Sequence, residues 1–300
     1  MTAHATGGAG NFTVPPPAYR LPADLRLDRV RLQVADLGRS IAYYERVIGL
    51  RTIATTDSSA TLTPHGDDTP LVELRERPGA TPVPRRGRLG LFHFAILLPD
   101  RAALGRFVTH LARIGESAGM SDHLVSEAIY LSDPDGLGIE VYADRPRSAW
   151  RTEGRTIAMA TLPLDAKDLV RAGGDEPWAG APRGTRIGHV HLHVGDLGMA
   201  ASFYHAGLGL DKVNVEYPGA LFMSAGGYHH HLGTNTWAAG ALPATERDAR
   251  LIDWTVALPS MKDVTEAAQS LASSGFEIRS EGTGAVATDP WGTEVRLTAQ

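Results

Sequence analysis

The chain repeats itself. Residues 29–50, RVRLQVADLGRSIAYYERVIGL, align without a gap on residues 189–210, HVHLHVGDLGMAASFYHAGLGL, matching Val30 with Val190, Asp36 with Asp196, Tyr44 with Tyr204 and Gly49 with Gly209. The offset that takes Arg29 to His189 also carries LFHFAILLPDRAALGRFVTHLARIG (91–115) onto LIDWTVALPSMKDVTEAAQSLASSG (251–275). Internal repeats constrain the architecture before any single residue is considered. Within each copy the same local pattern occurs twice: an alternating apolar strand, an Asp or Pro turn, an amphipathic helix closing near Gly, and three short strands. DPDG (133–136) and DPWG (289–292) occupy equivalent turns. The fold class expected is α+β, with four βαβββ modules at 27–80, 88–145, 186–238 and 249–298. They form two halves, 27–145 and 186–300, each a half-barrel domain. Residues 146–185, rich in Pro and Gly, connect the halves, with a helix expected around PLDAKDLVRAG. Residues 1–26 read as a flexible N-terminal arm, rich in Gly, Ala, Thr and Pro.

Three hundred residues at 43% hydrophobic and 21% charged describe an ordinary globular chain, long enough to bury a large core. A net charge of -5 and the lack of any Lys/Arg run leave no electrostatic footprint for nucleic acid. No window approaches the ~20 apolar residues of a membrane helix, and the first residues carry no signal-peptide pattern. With no cysteine, any metal must be held by His and carboxylates. A cytoplasmic location is expected, and a homo-oligomer is compatible with the sequence.

The stretches DLGRSIAYYERVIGL, LFHFAILLPDR, DHLVSEAIYLSDPDGLGIEVYADRPRSAW, IGHVHLHVGDL and GGYHHHLGTNTW, in this order, closely resemble the vicinal oxygen chelate superfamily. Within it they are similar to the catechol 2,3-dioxygenase (CatE-type) branch of extradiol ring-cleaving enzymes. The resemblance covers residues 27 to 298. It implies paired modules around a divalent metal, usually Fe(II) with Mn(II) as the alternative, chelating both oxygens of a catechol-type substrate beside O2. It also implies ligands from the opening strand of a module and from the closing strand of its partner.

The repeats indicate which modules keep such groups. The opening strands carry Arg29, His93, His189 and Asp253 at equivalent places, and counting on from the DP turns gives Glu140 in the second module but Arg296 in the fourth. Pairing the modules in sequence assembles no complete ligand set. Pairing the second with the third brings together His93, His189 and Glu140, the 2-His-1-carboxylate set that leaves positions open on a divalent ion. Alternation then puts His189, His191 and His193 on one face, and His93 with Ala95 and Leu97 on one face away from Phe92.

GGYHHHLGTNTW reads as a strand, so His229 and His231 are expected to face away from His230. By the resemblance, His230 matches the family's acid/base histidine, His123 its second active-site histidine and Tyr130 its substrate-binding phenol. His229 and His231 are expected to be structural or to back the residues that line the site, Asn235 and Trp237 to belong to core or pocket wall, and His65, His110 and His205 to face solvent or lie on a helix surface. Two other readings stand beside the dioxygenase. One is a glyoxalase-like isomerase using more protein ligands, and the other is a non-catalytic binding protein of the same fold. A lone strand histidine is, after all, more often a hydrogen-bonded core residue than a ligand.

Overall fold

Each alternating stretch becomes a strand, and the residue before each helix becomes its N-cap, in the computed structural model, which describes residues 13–84, 87–154 and 156–300. Asp36, Asp100, Asp196 and Ser260 each accept a hydrogen bond from a backbone N–H of the first turn that follows, satisfying a donor that the helix itself leaves unpaired. The repeat extends to irregularities. Helix Leu37–Tyr43 widens into a π-turn over Tyr44–Ile48, and its counterpart Leu197–Ala200 does the same over Ala201–Gly207. In the DP turns, Asp133 accepts from the N–H groups of Asp135 and Leu137, and Asp289 accepts from those of Trp291 and Thr293. The matched tyrosines then join successive modules. Tyr44 donates its hydroxyl to Asp133 (3.4 Å) and Tyr204 donates to Asp289 (2.7 Å).

Hydrogen bonding joins the modules in crossed order. One eight-stranded sheet runs Asp211–Asn214, Ala220–Ser224, Leu232–Asn235, Arg186–His193, Gly90–Leu97, Gly138–Asp144, Ser126–Ser132, Gly119–Asp122, so it combines the third module with the second. The other eight-stranded sheet combines the fourth module with the first, through the antiparallel pair Arg26–Val34 and Arg250–Leu258. The crossed pairing read from the distribution of ligand residues is the pairing observed. The apolar rows of both sheets, Val30, Leu32 and Val34 in one and Val190, Leu192 and Val194 in the other, lie in one continuous core with the helices. The opposite face of each sheet is concave, and this is where the chain can hold a ligand.

Two bulges sit on the seam between the second and third modules. Along Gly90–Leu97 and Arg186–His193, His191 stands opposite His93 but Leu192 stands opposite Leu91, so Phe92 is the extra residue. Ile187 stands opposite Ile96 and His189 opposite Ala95, so Gly188 is the extra residue on the other strand. An added residue shifts the side-chain alternation locally. It therefore corrects the expectation for Phe92, which joins His93 on the concave side. At Gly188 a Cβ would stand 1.8 Å from the Tyr142 hydroxyl oxygen. Gly188→Ala is expected to destabilise the protein by about 1–3 kcal/mol through overpacking. A lower urea midpoint with an unchanged m-value is the signature, and an unchanged midpoint would mean that the Tyr142 contact yields freely.

The segment 13–25, read from the sequence as part of an arm, lies against the third module. Val14 pairs with Lys212 through backbone hydrogen bonds, Leu21 N–H donates to Gly209 O (2.9 Å), and Leu21 and Leu25 are buried. Residues 1–12 of that arm, with His4, lie outside the described residues. The expected connecting helix forms at Ala166–Gly173 and packs on Arg101–Ile114. The backbones meet there so closely that a Cβ on Gly105 would stand 2.2 Å from Leu169 O. Among the described residues no helix is long and apolar enough to cross a membrane.

Candidate metal centre

The concave face of the sheet joining the second and third modules carries one row of side chains across its middle. Register places His189 opposite Ala95, Ala95 beside Glu140, and Glu140 opposite Tyr130. Ala95 has only a methyl group, so the larger residues on either side meet above it. His93 enters from the neighbouring row, opposite His191. The result is a convergence of three ligand atoms within 4.8 Å of one another. His93 Nε2 lies 3.0 Å and His189 Nε2 3.1 Å from Glu140 Oε2, and the two Nε2 atoms are 3.4 Å apart.

All three residues are buried. Burial lowers the pKa of both imidazoles, with Glu140 opposing the shift, so the rings stay neutral at neutral pH. Burial alone would raise Glu140, but the positive charge that His189 and His93 would gain on protonation, together with their hydrogen bonds, outweighs it and holds the carboxyl well below the usual range. Neutral imidazole and ionised carboxylate are the forms that bind metal, and two nitrogens with one oxygen suit a divalent ion of the first transition row. The donor set therefore fits a metal. The Nδ1 atoms of His93 and His189 are buried without a hydrogen-bond partner. Ring packing holds them in place of the outer hydrogen bond that usually orients such ligands. His93 contacts Phe92 (4.8 Å between centroids) and His191 (5.0 Å), while His189 contacts Tyr142 (5.0 Å) and His230 (4.0 Å).

Arginine and carboxylate fill the equivalent face of the other sheet. Arg31 Nη1 lies 2.8 Å and Arg296 3.0 Å from Asp253 Oδ2, and Arg31 also pairs with Glu73. These guanidinium–carboxylate pairs balance one another's charge and present no imidazole. Arg29, the counterpart of His189, reaches only to Glu73 at 3.9 Å.

Beside the three converging residues lies a cavity of about 280 Å³, with His123, Tyr130 and His230 on its wall and Phe92, Phe222 and Trp237 supplying much of the apolar lining. The six residues singled out from the sequence thus meet in one place. His123 Nδ1 lies 2.7 Å from Ala160 O, a pure acceptor, so Nδ1 carries the proton and Nε2 accepts from the Tyr130 hydroxyl at 2.6 Å. Burial, and then the charge on Glu140, pushes the Tyr130 phenol well above its ordinary pKa, so it keeps that proton. Burial, reinforced by the neighbouring histidines, pushes His230 well below the ordinary imidazole value.

The triple histidine is not in a strand. Its strand is Leu232–Asn235, and residues 229–231 form the end of the loop before it. Strand alternation therefore does not apply. His229 Nδ1 lies 2.7 Å from His230 Nδ1, with His229 fully buried behind it. His231 points to another side of the sheet, where its Nδ1 accepts from Ala225 N–H. Asn235, weighed as core or wall, ties two histidines together. It donates to His191 Nε2 at 3.0 Å, and its Oδ1 lies 2.7 Å from His193 Nδ1. His205, expected to face solvent, is buried with Nδ1 on Leu210 O, where it satisfies a carbonyl past the π-turn.

Sequence reasoning missed Phe92, whose place depends on the bulge, and Met159–Thr161, where the connecting segment closes the cavity. It also missed Asp144, which binds His229. Nothing local marks any of them. Asp144 alone carries a hint, because it falls on the same strand as Glu140 at the same parity.

The profile of the Glyoxalase/Bleomycin resistance protein/Dioxygenase superfamily matches residues 26–141 and 186–297. The chain is 44% identical over 259 residues to the catechol-2,3-dioxygenase of Bacillus subtilis (strain 168), an alignment covering 85% of this chain and 90% of that protein. Among solved structures, glyoxalase I from Zea mays superimposes with a TM-score of 0.53 at 19% identity, covering 92% of each chain. A Bacillus subtilis structure whose dioxygenase assignment is provisional superimposes with a TM-score of 0.62 at 14% identity, over 94% of this chain and 86% of that one. At these identities the two structures speak for the fold alone.

Proposed function

The chain belongs to the glyoxalase/bleomycin resistance protein/dioxygenase superfamily, and from that premise we propose that it is an extradiol dioxygenase of the catechol 2,3-dioxygenase type. One observation carries the reading. Two imidazoles and one carboxylate converge beside a cavity sized for a single substituted ring, with His123, His230 and the Tyr130 phenol on its wall. The 44% identical relative named catechol-2,3-dioxygenase supports it.

In the proposed enzyme His93, His189 and Glu140 hold Fe(II), with Mn(II) as the alternative. When bound, that ion supplies Lewis acidity toward the two catechol oxygens and an open position for O2. The apolar wall, with Phe92, Phe222 and Trp237, grips the ring and excludes water, so that the reactants meet in one orientation. Tyr130 has committed its proton to His123, so its oxygen accepts a hydrogen bond from a substrate hydroxyl and sets which oxygen lies on which side. His230 takes a proton from the substrate and returns it as the ring opens. The product is a 2-hydroxymuconic semialdehyde type of compound. The substrate is a small diol rather than nucleic acid or membrane, and we place the protein in the cytoplasm, with a homo-oligomer compatible with the fold.

A glyoxalase-like isomerase would call for a further protein ligand. Gly233 stands opposite His191 as Glu140 stands beside Ala95, and glycine offers no donor there. Among the described residues only one group of three has metal-binding spacing. A binding protein without chemistry leaves the convergence of His93, His189 and Glu140 without a purpose. The test is to load the protein anaerobically with Fe(II), add catechol and air, and follow O2 consumption and the yellow ring-opened product. Stoichiometric uptake with colour is expected. Bound iron without uptake, for catechol and its alkyl derivatives alike, would favour the isomerase.

A further inference from the structure

A chain of hydrogen bonds runs from the cavity wall back through the sheet, and its direction can be deduced from end to end. At the far end lie two buried phenols, Tyr142 and Tyr228. Tyr228 donates to both oxygens of Asp144, at 3.2 and 3.0 Å, so its own oxygen is left to accept from Tyr142 at 2.7 Å. Asp144, as a carboxylate, only accepts. His229 Nε2 stands 2.9 Å from Asp144 Oδ1 and must therefore be the donor. In a neutral imidazole the other nitrogen is then an acceptor. That nitrogen, His229 Nδ1, lies 2.7 Å from His230 Nδ1, so the proton between them belongs to His230. His230 is left with Nε2 as its free nitrogen, on a ring that lines the cavity.

We propose that His229, anchored by Asp144, is a positioning residue that fixes the tautomer of His230, so that an unprotonated Nε2 faces the substrate. The inference rests on the role assigned above to His230, and extends it to two residues outside the cavity. A neutral histidine free to choose its tautomer would present N–H to the substrate for part of the time and could not take its proton. With Nδ1–H committed to His229, Nε2 is always the base. When Nε2 gains the substrate proton, Nδ1–H stays on His229, and the charge formed on His230 is balanced through His229 by Asp144. The packing around His229 serves the same end. Its ring is fully buried and packs on Tyr228 (4.1 Å between centroids) and Trp150 (5.3 Å). The adjacent histidines at 229 and 230 are thus a base and the group that orients it.

Two measurements test this. The first reads the wild-type protein itself: long-range 1H–15N correlation spectra of the protein loaded with Zn(II), a diamagnetic ion, with a His230→Gln sample used only to identify the His230 signals by their loss. The expected result is His230 protonated at Nδ1 and unprotonated at Nε2. Protonation at Nε2, which a doubly protonated His229 would impose, overturns the proposal. The second compares two side chains of nearly equal shape in the Fe(II)-loaded enzyme. Asn at 229 keeps an oxygen near the place of Nδ1, and Leu does not. His229→Leu is expected to lower kcat roughly 100-fold, the lower end of what a positioned acid–base group contributes, with KM and iron content within about twofold of wild type. His229→Asn is expected to recover most of that loss. Equal kcat values for Leu and Asn would show that only packing matters at this position, and would overturn the proposal. If the wild-type enzyme shows no catechol-dependent O2 uptake, the dioxygenase reading falls, and the NMR arm still decides the tautomer.

Discussion

His189→Ala and Glu140→Ala are each expected to abolish metal retention and turnover together. The three converging atoms come from three strands of two modules, and in the proposed site each would supply one of three protein donors to the ion. Even changes to groups outside the ligand set commonly cost 10–100-fold in metal affinity, so loss of a ligand is expected to cost more than about 100-fold. The two variants differ in what remains. Without Glu140 the two buried imidazoles lose their anionic partner, so no negative charge offsets that of a divalent ion. Without His189 the carboxylate keeps His93 at 3.0 Å, and the space left opens beside His230. Metal content after dialysis, measured alongside O2 uptake, is the deciding experiment. Circular dichroism checks that both variants keep the fold. Normal metal content in either would remove that residue from the ligand set. A chelator applied to the wild-type protein should reproduce the same loss, and added Fe(II) should reverse it.

The second large effect separates metal binding from proton transfer. His230→Gln is expected to retain iron and the fold but to lose most of its turnover, on the order of 10²–10⁴-fold, the range that general acid–base groups contribute. His230 makes no contact in the group of ligand atoms, and its ring lies against His189 at 4.0 Å between centroids. Glutamine can fill that space and can hydrogen-bond, but it cannot take a proton near neutral pH. KM should change much less than kcat, because binding of the ring rests on the ligand ion and the apolar wall rather than on His230. Turnover equal to wild type would deny His230 the proton-transfer role and shift attention to Tyr130 and His123.

Much of this protein was legible in the sequence because the relevant signals are local or repeated. Alternation of period two marked the opening strands, the Asp or Pro turn after each marked the helix starts, and the aligned halves exposed where Arg29 stands in place of a histidine and Arg296 in place of a glutamate. Comparing equivalent positions also implied the crossed pairing, since only the second and third modules together retain a complete donor set. His93, His189 and Glu140 were identified in this way, and the fold brings all three together.

What local patterns could not carry was any feature that depends on one strand's register against another. The bulge at Phe92 turns that ring into the cavity although alternation assigns it to the core side. The triple histidine reads as a strand by composition, yet its three rings fan out from a loop, so His229 backs His230 instead of opposing it. Asp144 meets His229 only because the strand Gly138–Asp144 and the strand Leu232–Asn235, which the loop of His229 enters, share one sheet. The sequence by itself determined the modules, their number and order, and the residue types available for a metal. Tertiary structure alone decided which faces those residues share and which nitrogen of His230 is free. The reason is physical: hydrophobic periodicity is a property of neighbouring residues along one strand, whereas a bulge, a loop's direction and a hydrogen-bond chain are set by pairing energies between segments that the local pattern does not encode.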